Sequence, residues 1–160
     1  MRGEKRTYGP ASLSTQAVTY DLPVENDGIC EIDLGVDFQN AETINIQLSN
    51  EAGERVTMVY DLRLAGGRRP TFSMHRQRSG DTSFSEHFPV TTTAPLLFND
   101  KSVRLRIYID RCSIEAFDGQ GRFAMTNLVF PTTPYTQLSV SARGGKARTD
   151  RVIIYPLVVE

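Results

Sequence analysis

The chain contains no tryptophan, and it has only two cysteines, two histidines and a net charge of −1 over 160 residues. A near-neutral chain offers no basic face that could release counterions from nucleic acid or meet anionic headgroups. We therefore expect neither nucleic acid nor a membrane among its partners. At this length the chain is expected to form one domain with a substantial core.

Long apolar runs are also absent. The longest, at 152–155 and 157–159, are far shorter than the ~20 residues that span a bilayer. Residues 1–10 carry several charges and no apolar segment, so no signal peptide is predicted within this chain. That prediction concerns this chain alone, because a fragment loses any signal that lies upstream of it.

Cys30 and Cys112 are too few for a disulfide framework or for a zinc site with several sulfur ligands. Two isolated buried thiols are the favoured interpretation, and a single disulfide bond is the alternative. His75 and His87 have no neighbouring cysteines or spaced carboxylates, so no metal site and no cofactor are predicted. The sequence also lacks a Gly-x-Ser-x-Gly motif and a phosphate-binding glycine loop.

Short segments of alternating apolar and polar residues run through the chain, separated by turns rich in Gly, Asn and Asp. Such segments are typical of half-buried strands, and their spacing predicts about ten to twelve strands. The clearest are at 29–34, 43–48, 56–62, 69–76, 103–109, 113–117, 123–130, 137–142 and 151–159. The segment 89–95 begins and ends with proline, so it is predicted as a loop or an edge strand.

No amphipathic helical window and no repeat of fixed period is visible. Many short strands with tight turns favour an all-β fold, an antiparallel two-sheet β-sandwich of the jelly-roll, concanavalin-like type. Residues 1–12 are predicted as a linker segment and residues 13–160 as a single β-sandwich domain.

The stretch LRIYIDRCSIEAFDGQGRFAMTNLVFP, residues 105–131, places two carboxylates around a turn. A glycosidase needs two carboxyl groups about 5–5.5 Å apart for retention or about 6.5–9.5 Å for inversion. Asp110 and Glu115 are the candidate pair. The alternative is structural, with Asp110 accepting backbone N–H bonds in the turn and Glu115 pairing with Arg111 or Arg122. We favour the structural interpretation, because no tryptophan platform accompanies the carboxylates, and predict no catalytic residue.

The rest of this stretch predicts a three-stranded meander. Leu105, Ile107 and Ile109 share one strand face, and the Asp110 turn leads into the second strand. Asp118-Gly119-Gln120-Gly121 then gives a strong hairpin signal, because glycine adopts positive φ without steric cost.

The same stretch resembles a signature of glycoside hydrolase family 32, which contains invertases, levanases and inulinases. In the C-terminal β-sandwich of that family the signature runs as an apolar strand, Asp-Arg-x-Ser-x-Glu-x-Phe, a glycine turn and a strand that closes on proline. The matching positions here are Asp110, Arg111, Ser113, Glu115, Phe117, Gly119 and Pro131.

The resemblance extends over essentially the whole chain. Residues 72–84 are similar to the family's Asp-Arg-x-x-Ser-Gly segment, and residues 143–157 to its closing Gly-Gly turn and last strand. Residues 2–10 resemble the linker at which the catalytic propeller of the family ends. Two positions depart from the pattern: His75 stands where the family often has Asp, and Cys112 replaces a common Ser.

The catalytic motifs of the family are absent from this chain. It has no Trp-x-Asn-Asp-Pro-Asn-Gly, no Arg-Asp-Pro and no Glu-Cys, and Cys30-Glu31 has the reverse order. The resemblance implies that the catalytic carboxylates lie in a five-bladed propeller upstream. The chain alone is thus not expected to be an enzyme. The resemblance implies a parent β-fructofuranosidase or levanase that is secreted, periplasmic or on the cell surface of a bacterium.

The resemblance implies two functions for the module. It packs against the catalytic propeller of the same polypeptide and stabilises it, or it binds a terminal fructose of a fructan. Carboxylate acceptors and arginine forks suit sugar hydroxyls. The candidate carbohydrate-binding residues are therefore Asp110, Glu115, Arg76 and Arg78. Without tryptophan such binding is expected to be weak, and Tyr60, Tyr108 and Tyr135 are either substitute stacking residues or packing residues.

Hydrolysis of glycosidic bonds by the chain itself is a further hypothesis, and so is an adhesion or signalling role unrelated to sugars. If the module is a structural partner, the isolated chain should expose an apolar or mixed patch where the propeller docks.

Overall fold

The computed structural model describes residues 1–158, which form two antiparallel β-sheets packed face to face. The predicted two-sheet β-sandwich is therefore confirmed. The helical elements of these residues are two short 3-10 turns, Glu25–Gly28 and Ala65–Gly67. Within the described range, no helix has the length and apolar character needed to cross a membrane.

Thirteen strands make up the two sheets. They are β1 (Arg6–Tyr8), β2 (Ala11–Leu13), β3 (Val18–Asp21), β4 (Cys30–Asp37), β5 (Thr43–Ser49), β6 (Arg55–Asp61), β7 (Thr71–Arg78), β8 (Thr91–Pro95), β9 (Ser102–Ile109), β10 (Ser113–Asp118), β11 (Ala124–Leu128), β12 (Gln137–Arg143) and β13 (Ala147–Pro156).

Each strand predicted from alternation is present, with ends that shift by a few residues. The last strand, β13, begins earlier than predicted, at Ala147, and its pairing with β4 is interrupted by an irregularity between Thr149 and Arg151. The predicted end of this strand at Val159 lies outside the described residues. The proline-bounded segment 89–95 contains the edge strand β8, which pairs with β7 alone.

The larger sheet has seven strands in the order β1-β13-β4-β9-β10-β11, and β2 pairs with β13 beside β1. The predicted meander is confirmed as β9-β10-β11. The second sheet has six strands in the order β3-β12-β5-β6-β7-β8. Alternate residues of both sheets face each other across a single core.

Aromatic rings fill one part of that core. The Tyr60 ring lies 4.9 Å from the Phe72 ring and 5.3 Å from the Phe38 ring, measured between centroids. Phe123 stacks on Phe72 at 4.7 Å. A fully buried side chain such as Tyr60 or Phe72 contributes about 1.5–3 kcal/mol relative to an exposed one. The core therefore determines which alternate residues of each strand point inward and which point outward.

The segment predicted as a linker is paired with the last strand. Residues 6–8 form β1, which lies antiparallel to β13, and Arg2 forms an isolated bridge with Leu157. The Arg2 guanidinium binds the Glu31 carboxylate through two hydrogen bonds of 2.8 and 2.7 Å. The start of the described chain therefore lies on the larger sheet.

Both cysteines are free, so the alternative of a disulfide bond is wrong. Cys30 is buried, as expected. Cys112 is exposed, because it lies in the turn between β9 and β10, and the expectation of two buried thiols is wrong at this position.

Candidate functional site

Asp110 sets the turn between β9 and β10. Its N–H donates to the Ser113 carbonyl at 2.9 Å, and its carboxylate accepts the Arg111 N–H at 2.7 Å. The Arg111 side chain reaches Asp27 at 2.8 Å, with both side chains largely exposed. The carboxylate thus has the turn-forming contacts that the structural interpretation predicts.

Glu115 lies on the outer face of β10, where the larger sheet forms an open groove of about 620 Å³. It is directly opposite Tyr108 of β9, and Phe117 is opposite Arg106. The Tyr108 and Phe117 rings meet edge to face at 5.7 Å. The groove therefore offers a carboxylate, a guanidinium and two aromatic rings on neighbouring strands.

The expected ion pair of Glu115 with Arg111 or Arg122 is wrong. Arg111 binds Asp27, and Arg122 binds Asp118 and Asp100. Among residues 1–158, neither Glu115 nor Arg106 has an ion-pair partner within 4 Å. Both are half-buried, so their side chains are held near the sheet without a charged neighbour in contact.

The hairpin predicted at Asp118-Gly119 closes the groove at one end. Gly119 packs against β9 so closely that a Cβ atom would lie 2.9 Å from the Arg104 Cβ. Gly121 has a φ of +73°, a conformation that favours glycine. Close packing thus requires glycine at 119, and the backbone conformation favours it at 121.

A layer of ion pairs covers the outer face of β4, and sequence reasoning missed it. Glu31 and Asp33 point outward, yet they are only 2% and 3% exposed. The Arg2 guanidinium covers Glu31, and those of Arg104 and Arg151 contact Asp33 at 2.5 and 3.6 Å. The sequence contains an indication of this layer, because Glu31 and Asp33 alternate with buried residues along β4.

The pKa of Asp33 reflects two opposing effects. Burial alone raises it, but the hydrogen bond and charge of Arg104, helped by Arg151 and Arg106, outweigh burial and lower the pKa below its ordinary value. The Asp33 carboxylate therefore stays ionised at lower pH than an ordinary carboxylate does.

Arg76 and Arg78 lie on β7, in the smaller sheet. The Arg76 guanidinium stacks on the Phe88 ring at 4.0 Å, and it donates to the carbonyls of Phe88 and Leu128 at 2.9 and 3.2 Å. Arg78 is exposed and faces Arg55 across the strand pair. Neither arginine lines the groove that contains Glu115.

The four candidate carbohydrate-binding residues are thus not gathered in one pocket. Asp110 lines a separate cavity of about 180 Å³, together with Pro131 and the 132–135 segment. Glu115 lines the groove, where Arg106, Tyr108 and Phe117 are its neighbours. The register of the β9–β10 hairpin, with Ile109 opposite Ile114, is the signal that could have found this set.

The remaining tyrosines belong to the core. Tyr60 and Tyr135 are 0% and 2% exposed, so neither can stack on a sugar. Tyr108 is half-buried in the groove, and its hydroxyl lies 3.3 Å from Glu31. Within the described residues, no group of three or more His, Cys, Asp or Glu side chains could hold a metal ion.

Two segments of the signature meet at the end of β11. Gly80 follows Ser79 with a φ of +153°, and a Cβ there would lie 2.1 Å from the Phe130 carbonyl oxygen. The Asp81 N–H donates to that carbonyl at 2.9 Å. The Ser-Gly segment and the strand that closes on Pro131 therefore form one packed junction.

An aromatic cluster lies at this junction and reaches solvent. Phe84 and Phe130 are 58% and 38% exposed, and their rings meet edge to face at 5.4 Å. Phe88 lies 4.7 Å from Phe84 between ring centroids. Leu128, which lies on β11 two residues before Phe130, is 51% exposed, and its carbonyl accepts a hydrogen bond from Arg76. These residues form a mixed apolar and charged patch.

The fold and the signature hairpin together define a class of β-sandwich found in glycoside hydrolases. The family model described as "Glycosyl hydrolases family 32 C terminal" matches residues 3–156. The chain belongs to this family, and the resemblance seen in the sequence is confirmed.

Curated relatives are longer proteins. A levanase of Bacillus sp. (strain L7) is 29% identical over 117 residues, which cover 73% of this chain and 12% of the levanase. An extracellular exo-inulinase of Aspergillus niger is 35% identical over 83 residues, or 51% of this chain and 16% of the inulinase. The matched part of this chain is therefore less than a fifth of each relative.

The solved structures that match this chain are also longer proteins. The exo-inulinase of Aspergillus awamori superposes with a TM-score of 0.73 and 28% identity, over 97% of this chain and 29% of that protein. The fructan 1-exohydrolase IIa of Cichorium intybus superposes with a TM-score of 0.78 and 11% identity, over 98% of this chain and 36% of that protein. The second likeness shows the fold alone.

Proposed function

We propose that the chain is the non-catalytic C-terminal module of a polypeptide that hydrolyses fructan or sucrose. In this role the module packs against the catalytic part of the same polypeptide and stabilises it. The names of the relatives, levanase and exo-inulinase, support a β-fructosidase as the parent activity. Their greater length supports a separate catalytic part.

The observation that carries this proposal is the mixed surface patch around Phe84, Phe130 and Leu128. A monomeric protein seldom exposes several large apolar side chains side by side, and such patches mark interaction sites. Arg76 holds the patch in place through its contacts to Phe88 and Leu128. An ordered apolar surface of this kind is more stable when it is buried against a permanently bound domain than when it is exposed to water.

Fructose release tests the proposal. The longer polypeptide should release fructose from levan, inulin or sucrose, whereas residues 1–160 alone should release none. Deleting residues 1–160 should shorten the half-life of activity at elevated temperature by tenfold or more. A catalytic part that is equally long-lived without the module would contradict the proposal, as would fructose release by the 160-residue chain.

A second candidate function is fructan binding, and the groove beside Glu115 favours it. Carboxylate and guanidinium groups suit sugar hydroxyls, and the Tyr108 and Phe117 rings offer an apolar surface for a sugar face. Calorimetric titration of the chain with levan and inulin tests this candidate. Heat that disappears in Glu115→Gln would support it, and no heat with either polymer would reject it.

A further inference from the structure

The outer faces of the two sheets differ in chemistry. On the smaller sheet the outward positions of five strands are mostly small hydroxyl and amide side chains, which are Thr43, Asn45, Gln47, Ser49, Thr57, Thr71, Ser73, Thr91, Thr93, Gln137, Ser139 and Ser141. The exceptions at these outward positions include an apolar side chain, Val59, and the titratable side chains of Arg55, Asp61, His75 and Arg143. Such a face is well solvated and gives a protein partner little apolar area to bury.

The larger sheet presents aromatic rings and covered charges instead. Tyr155, Tyr108 and Phe117 lie on its outer face, on three different strands. Between them, Glu31 and Asp33 are buried beneath arginine side chains. Aromatic residues and arginine are the types enriched in protein interfaces.

This face is already ordered in the chain. Arg2 stacks on the Tyr155 ring at 4.5 Å while it binds Glu31, and Tyr108 packs on Phe117 at 5.7 Å. Ordered side chains lose little conformational entropy when a partner binds. Arg106 and Glu115 are half-buried charges of this face that have no ion-pair partner within 4 Å among residues 1–158, so a partner can match them.

The start of the described chain lies at an edge of the same sheet. The N–H of Val158 donates to the Met1 carbonyl at 2.8 Å, and Gly3 donates to Pro156 at 2.7 Å. Any polypeptide that precedes residue 1 in a longer protein therefore leaves from the edge of this sheet. A preceding domain can reach this face without crossing the sandwich.

The face is also large enough. Six neighbouring strands lie about 4.8 Å apart and are three to ten residues long, so at an average of about seven residues they span about 24 Å by about 23 Å. That area, of the order of 600 Å², approaches the ~800 Å² that each partner buries in a standard interface. The patch at Leu128 and Phe130 extends it beyond the edge strand β11.

We infer that the outer face of the larger sheet is the docking face for the catalytic part of the same polypeptide. The docking face is defined by Glu31, Asp33, Arg106, Tyr108, Glu115 and Phe117. This inference rests on the proposed function and adds which side of the sandwich makes the contact. The smaller sheet then faces solvent.

Two matched cysteine variants test the assignment. Thr126→Cys places a thiol on the docking face beside Glu115, and Thr93→Cys places one on the outer face of the smaller sheet. Both threonines are exposed and lie on edge strands. Each variant carries Cys112→Ser, and maleimide labelling is measured on the corresponding peptide by mass spectrometry. The 160-residue chain and the longer polypeptide are compared.

In the 160-residue chain both thiols should be labelled at similar rates. In the longer polypeptide the Thr126→Cys thiol should be labelled at least tenfold more slowly, and the Thr93→Cys thiol at an unchanged rate. Protection of the Thr93→Cys thiol, alone or together with the other, would overturn the face assignment while leaving the proposed packing in place. The face assignment would also be overturned if both thiols of the longer polypeptide were labelled at equal rates while deletion of the module still shortened the half-life of activity. Protection of Thr126→Cys by inulin or levan in the 160-residue chain would instead assign the face to a saccharide.

Discussion

Arg122 clamps the hairpin of the signature by binding the buried carboxylate of Asp118. The Arg122 Nε lies 2.8 Å from Oδ2 and its Nη2 lies 3.0 Å from Oδ1, while the backbone N–H groups of Gln120 and Arg122 also donate to Oδ2. The same guanidinium stacks on Phe98 at 3.5 Å and binds Asp100. One side chain therefore joins the turn to the segment that precedes β9.

Arg122→Ala should lower the free energy of unfolding by about 3 kcal/mol, because it leaves a buried carboxylate without its charged partner. The matched control is Arg111→Ala, which removes an ion pair between side chains that are 67% and 61% exposed. That pair should contribute less than about 1 kcal/mol. Urea unfolding of both variants checks the contrast. Equal losses would show that the clamp is no stronger than a surface ion pair.

Asp33 should make stability depend on acid pH. Its pKa in the folded chain is lowered, so its stabilising contribution is fully present above the ordinary carboxyl value of about 3.9 and is lost as pH falls through the folded-state value. Asp33→Asn should therefore be less stable than the natural chain at pH 7, with a smaller further loss at about pH 3. Urea unfolding at the two pH values measures this. Parallel losses in both proteins would contradict the role of Asp33.

Removal of the Tyr60 hydroxyl and removal of the Tyr135 hydroxyl should change the free energy of unfolding in opposite directions. Among the described residues, no hydrogen-bond partner contacts the buried Tyr60 hydroxyl, whereas the Tyr135 hydroxyl donates to the Ser79 carbonyl. Tyr60→Phe should raise the free energy of unfolding by about 1 kcal/mol, and Tyr135→Phe should lower it by about 1 kcal/mol or more. Thermal or urea unfolding of both variants measures these changes. A lower free energy of unfolding in both variants would contradict the prediction.

The two thiols should differ in reactivity. Burial raises the pKa of the Cys30 thiol to about 12, and Cys112 is exposed in a turn. Since the thiolate is the reactive form, one thiol per chain should react under native conditions and two after unfolding. Cys112→Ser should abolish the native reaction. A fast second thiol in the folded chain would show that β4 opens easily.

The alternation of apolar and polar residues predicts most of the fold, because the core fixes one face of each central strand. β5, with Ile44, Ile46 and Leu48 facing inward, is an example. The strands β1 to β3 were not predicted, since three or four residues carry too little periodicity. β13 starts earlier than predicted, because its first residues alternate with charge and a bulge interrupts the register.

The candidate site was predictable only in part. The Asp110 turn and the Asp118-Gly119 hairpin follow from local turn chemistry, and both are present. The groove partners of Glu115 depend on hairpin register, which turn residues do not fix alone. The covering of Glu31 by Arg2 joins positions 29 residues apart, and the patch at Phe84 depends on a loop without periodicity. Such contacts arise from tertiary packing.

In the proposed function, this module and a catalytic part of the same polypeptide stabilise each other. Differential scanning calorimetry of the 160-residue chain, the catalytic part alone and the joined polypeptide tests it most directly. The catalytic part should unfold several degrees higher in the joined polypeptide than alone, because docking favours the folded state of both parts. A joined profile equal to the sum of the two separate profiles would contradict it.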